Sequence, residues 1–94
     1  MYDIYLQEIK DILHILHDRD DNRLLSALER GHRAIEGFCG EFPMENIRGR
    51  TLVYDWVRFS FHGQSEYFYD SFKPELNMFG FELYNPESDG EYNG

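Results

Sequence analysis

The chain predicts an α+β fold: a two-helix antiparallel hairpin packed on a three-stranded antiparallel β-meander, in the order ααβββ. Three observations carry this prediction. Apolar residues as far as Phe38 recur at three- and four-residue steps. After Gly49 the composition turns β-branched and aromatic, with period-two alternation. Short turns bearing Gly, Ser and Pro then divide that second half.

The first helix is predicted over about residues 3–17, because Tyr2, Tyr5, Leu6, Ile9, Ile12, Leu13 and Leu16 fall on one stripe. Asp3 lies near its start, where a carboxylate serves the free N–H groups. The polar run Asp18-Arg19-Asp20-Asp21-Asn22 breaks the pattern and offers Asp20 or Asp21 as the next N-cap. Leu24, Leu25, Leu28, Gly31, His32, Ile35 and Phe38 form the second stripe, with Gly37 placed to end the helix. So short a connection predicts antiparallel packing of the two helices. Arg23, Arg30 and Arg33 sit on the solvent side and are the one basic concentration in the sequence.

Residues 39–49 read as a loop with no sustained period. Arg50 to His62 reads as a first strand, with Val53, Val57, Phe59 and Phe61 on one parity and Tyr54, Trp56, Arg58 and Ser60 on the other. Residues 62–65 form a turn, Glu66 to Phe72 a second strand, Lys73-Pro74-Glu75 another turn, and Leu76 to Tyr84 a third strand. Two positions disturb this reading. Asp55 shares the buried parity, which demands a bulge or an internal arginine partner. Gly80 lies mid-strand, where glycine marks a bulge or the close approach of another backbone. Residues 1–85 are read as a single domain and residues 86–94 as a flexible acidic tail.

The net charge of −9 sets anionic membranes and direct nucleic-acid contact aside and favours a basic partner. The charge is uneven: residues 51–94 hold 12 of the 16 aromatics with eight acids and two bases, Arg58 and Lys73. The lone Cys39 allows no intrachain disulfide. With no basic leader and no long apolar run, the chain is expected to be cytoplasmic.

No catalytic or metal motif stands out, so no enzyme activity, cofactor or metal is expected. Asp11, His14, His17, Asp18 and Asp21 invite a metal reading, but a charged, solvated helix end accounts for them. Cys39 with His32 upstream shows neither a base within reach nor a positive neighbourhood. The leading feature is instead the exposed strand parity. Tyr54 and Trp56, Tyr67 and Tyr69, and Met78, Glu82 and Tyr84 are expected on one sheet face, with Glu66 and Asp70 nearer the rim. Tyr and Trp give large contact area at low entropic cost.

Two functions follow as expectations. In the first, the protein binds and blocks a basic protein such as a nuclease or DNA-binding effector. It then acts as a phage or mobile-element inhibitor, of the anti-CRISPR or DNA-mimic kind, or as a toxin-immunity protein. In the second, a self-associating adaptor or chaperone uses the aromatic sheet face as a homodimer interface.

Overall fold

Each apolar stripe of this chain winds onto a helix. The computed structural model describes residues 2–84. A 3₁₀ turn at Asp3–Tyr5 leads into α1 (Leu6–Leu13), followed by α2 (Asp21–Cys39), α3 (Ile47–Phe61), a 3₁₀ turn at Ser65–Tyr67 and α4 (Phe68–Tyr84).

No strand is present among the described residues, so the α+β prediction and its ααβββ order are wrong. The predicted first strand is α3. The second and third strands are one helix, α4, which runs through the predicted turn at Pro74. Proline there supplies no N–H to the carbonyl one turn back. The predicted tail at 86–94 lies outside the described residues.

The sheet prediction fails for a definable reason. Steps of four satisfy both a period of two and a period of 3.6, so Val53, Val57 and Phe61 fit either structure. Leu52 decides between them. It is buried with Gly49, Val53 and Val57, at steps of three from Gly49 to Leu52 and four from Gly49 to Val53 and Val53 to Val57, a pattern that a helix produces and an alternating strand does not. The Asp55 difficulty then dissolves: on α3 it faces outward and accepts a hydrogen bond from Arg58 at 3.0 Å, one turn along. In α4, Phe68, Leu76 and Phe79 are buried with Phe72 and Leu83 packed beside them, again helical spacing.

The first half follows the prediction more closely. Helix α2 begins at Asp21, as the polar run implied, but continues past Gly37 to Cys39 and stops before Gly40, whose φ is +112°. Helix α1 is shorter than predicted. His14 adopts the left-handed region at φ 60°, the Ile15 N–H bonds to the Lys10 carbonyl at 2.9 Å, and the His14 N–H bonds to that of Asp11. This Schellman turn folds Ile15 back on the core and leaves Leu16 exposed.

Helix α2 is the hub and packs on α1, α3 and α4. It runs antiparallel to α1, with Tyr2 against His32 at one end and Lys10 against Asp21 at the other. Helix α3 is antiparallel to both neighbours: Arg23 stacks on Phe61 and Arg30 on Trp56, while Phe59 meets Phe68 and Arg48 pairs with Glu82. Leu24, Leu28, Ile35, Val53 and Val57 are fully buried between α2 and α3. A Cβ on Gly31 would stand 3.0 Å from Trp56 and 3.3 Å from Val53, so glycine sets the closeness of this contact. Gly80 on α4 faces the Cys39 backbone, where a Cβ would stand at 3.5 Å in ordinary contact. The close backbone approach inferred there is real, but it is helix against helix.

Candidate functional site

The outer edge of α3 is polar and stepped at helical spacing. Arg48, Thr51 and Asp55 project there, with buried Leu52 beneath. Helix α4 answers with Phe72, Glu75 and Met78. Between them lies a groove of about 380 Å³. Phe72 lines it, and its ring packs behind the wall with Phe59 and Phe68 at centroid distances of 5.5 and 4.8 Å. The Arg48–Glu82 pair bridges α3 and α4 at one end. Met78 is 60% exposed on its lip, and Phe81 and Ile47 stand open to solvent beyond it.

A second furrow runs along the far side of the same α3 edge, between α1 and α3, and shares Thr51 and Asp55 with the first. Ile12 and Ile47 are its exposed apolar groups, and Glu8, Asp11 and Arg50 its charges. Arginines on this face are already engaged: Arg48 with Glu82, Arg50 with Glu8 at 3.6 Å, and Arg58 with Asp55. Asp11 holds only the Gln7 amide, and Glu75 has no salt bridge among the described residues. The uncompensated charge on this face is therefore negative.

The residues predicted for partner binding do not share a face. Tyr54 is buried, and its hydroxyl donates to Glu8 Oε1 at 2.5 Å. Burial, reinforced by that carboxylate, pushes the hydroxyl well above the ordinary phenol range. Trp56 is half-buried between Gly31 and the Arg30 guanidinium. Glu82 is held by Arg48, and Tyr84 is exposed at the far end of α4.

Four of the eight do cluster. Glu66, Tyr67, Tyr69 and Asp70 are exposed around the start of α4, where the Tyr69 ring lies 5.1 Å from Phe38 of α2. Tyr69 stands on the α2 edge of α4, whereas the groove is on its α3 edge. Sequence reasoning placed Met78 on the exposed side but missed Thr51, Glu75, Ile47 and Phe81 as surface partners. A helical count would have put Glu75, Met78 and Glu82 on one stripe.

Other titratable groups have structural work. His32 is buried; its Nε2 lies 2.7 Å from the Phe42 carbonyl and its Nδ1 3.0 Å from the Tyr2 hydroxyl. A carbonyl only accepts, so Nε2 carries a proton and pins the loop after α2. Cys39 Sγ donates to the Leu76 carbonyl at 3.2 Å, and burial raises its pKa. Asp18 and Asp21, raised above as metal candidates, grip Lys10 Nζ at 2.6 and 2.8 Å. That hydrogen bond holds Asp18 below the ordinary carboxylate range, and Asp18, then Asp21, hold Lys10 above the ordinary lysine range. Among the described residues no three His, Cys, Asp or Glu side chains are grouped to hold a metal ion, and no helix is long and apolar enough to cross a membrane.

Comparison of the chain with protein-family models, curated proteins and solved structures gives no match.

Proposed function

We propose that this chain is a small, non-enzymatic cytoplasmic protein that binds and blocks a basic protein, such as a nuclease or DNA-binding effector. One observation carries the reading. On the grooved face exposed Ile47, Met78 and Phe81 lie beside carboxylates, and its arginines are neutralised in place. Exposed apolar groups supply contact area, while unpaired acids supply steering toward positive charge. An inhibitor of phage or mobile-element type, or an immunity protein, needs no more chemistry than this. The acidic corner at Glu66, Tyr67, Tyr69 and Asp70 offers the same pairing of carboxylates with rings.

Homodimerisation through an aromatic sheet face is withdrawn together with the sheet. Light scattering behind gel filtration, alone and with a basic nuclease at low and high salt, tests the proposal. Capture at low salt that weakens as salt rises supports it. A protein that stays alone with every basic partner, or binds them independently of salt, overturns it.

A further inference from the structure

We infer that the groove between α3 and α4 docks an amphipathic helix with basic flanks, contributed by the partner protein; the inference rests on the proposal that the partner is basic. From Arg48 to Asp55 the α3 wall runs about 10 Å at a helical rise of 1.5 Å per residue. That is two turns, the length over which a third helix presents anchors at i, i+3 or i+4, and i+7. Two antiparallel helices with an open seam already provide the ridges such a helix packs against.

The walls suit that occupant. Leu52 and Phe72 give an apolar floor, and Met78 gives a lip whose unbranched thioether adapts to different side chains. Charge selects its flanks. Arg48 and Asp55, the polar ends of the α3 wall, are paired with Glu82 and Arg58. Glu75 on the opposite wall is exposed and has no salt bridge among the described residues, and Asp11 across α3 holds only an amide. A lysine or arginine on the docked helix completes these acids, whereas an acidic helix meets repulsion. A second copy of this chain does not fit, because α2 and α3, which carry most of its arginines, have their apolar stripes buried in its own core.

The probe is a labelled peptide of about 18 residues, five helical turns, with leucine at helical spacing and lysine elsewhere. Its controls are the same composition in strict alternation and a leucine–glutamate counterpart. Binding is read by anisotropy, and its place by the methyl resonances of labelled methionines. Met78 reports the groove and Met44, buried beside His32 on another side, is the internal control. The expected result is binding of the lysine helix alone, a shifted Met78 methyl and an unmoved Met44 methyl. Glu75→Lys should then weaken binding about tenfold at low salt, as loss of a rim charge and its reversal do. Glu75 and Met78 are both exposed, so Glu75→Lys and Met78→Ser should melt like the parent protein, and Met78→Ser should also weaken binding.

An unmoved Met78, indifference to Glu75→Lys, equal binding of either control, or no binding at all overturns the groove assignment. If a basic nuclease is still captured in a salt-dependent way while the peptide fails, only the groove falls. If both fail, the proposed function falls with it.

Discussion

The α2–α3 contact and the α3–α4 groove share one helix and differ in what that helix shows to each side. Toward α2 it presents Val53, Trp56 and Val57, and α2 replies with Gly31, Leu24 and Leu28, so the axes close to van der Waals contact. Toward the outer edge of α4 it presents Arg48, Thr51 and Asp55, opposite Glu75. Charged side chains lose their hydration if such a contact closes, and the ion pairs Arg48–Glu82 and Asp55–Arg58 keep their charges at the surface instead. One side of α3 therefore stabilises the fold, and the other stays available. A groove of 380 Å³ is the physical consequence of that asymmetry.

The contrast is broken most directly at its buried side. Leu28→Ala should destabilise by about 2–5 kcal/mol in denaturant unfolding, because the side chain is fully buried at the centre of the contact. Leu13→Ala should cost less, since Leu13 is only half-buried at the end of α1. A Leu28 loss below about 1 kcal/mol would mean that the α2–α3 contact is not the main support of the fold.

Gly31→Ala sharpens the same contrast. Alanine is the better helix former by about 1 kcal/mol, but its methyl meets Trp56 and Val53 at 3.0 and 3.3 Å. Overpacking of this kind costs about 1–3 kcal/mol, so a net loss near 1 kcal/mol is expected. A net gain in the melting temperature would show that Trp56 swings away freely.

A charge cluster at the α1–α2 end, outside both regions, gives a pH test of the fold. Lys10 is buried under Asp18 and Asp21, and its pKa is raised while that of Asp18 is lowered. Its contribution to stability is full between the ordinary carboxylate and lysine ranges. It is lost as pH falls through the lowered Asp18 value, and lost again as pH rises through the raised Lys10 value. Asp18→Asn should lower the melting temperature at neutral pH and flatten its fall in acid. An unchanged acid limb would show that other carboxylates govern it.

Groove substitutions should do least. Thr51→Val and Met78→Ser, both at exposed positions, should move stability by no more than about 0.5 kcal/mol. A larger loss from either would make the groove wall part of the core, and the asymmetry of α3 would disappear.

Residues 2–39 were legible because their signals are local and agree with one another. The apolar steps of α2, the acidic run before it and the arginines on its open side all reflect one helix in water. The short reach of α1 was not legible, since Leu16 continues the stripe and only the left-handed turn at His14 ends it. In the second half the local signals conflict. Val, Tyr, Trp and Phe prefer strands, but that preference is weak and yields to packing. The helical signals were also present. Asn46 caps α3 by accepting the Gly49 N–H at 3.0 Å, and Leu52 and Leu76, buried on the opposite parity from Val53 and Phe79, break the alternation. Pro74 concealed the continuity of α4, because proline inside a helix is tolerated only where surrounding contacts hold the turn.

Composition and charge, which depend on no fold, are the same in either architecture: an acidic chain with its aromatics late and its arginines early. Whether a given ring is buried or offered is a different kind of property. Tyr54 and Trp56 were expected on a contact surface, yet α1 and α2 cover them, while Glu75 and Met78 stand open because no other described element packs against that edge of α3 and α4. A helical or extended period is written in neighbouring residues. The face left uncovered is decided by elements distant in the chain, through burial that exists only once they have packed.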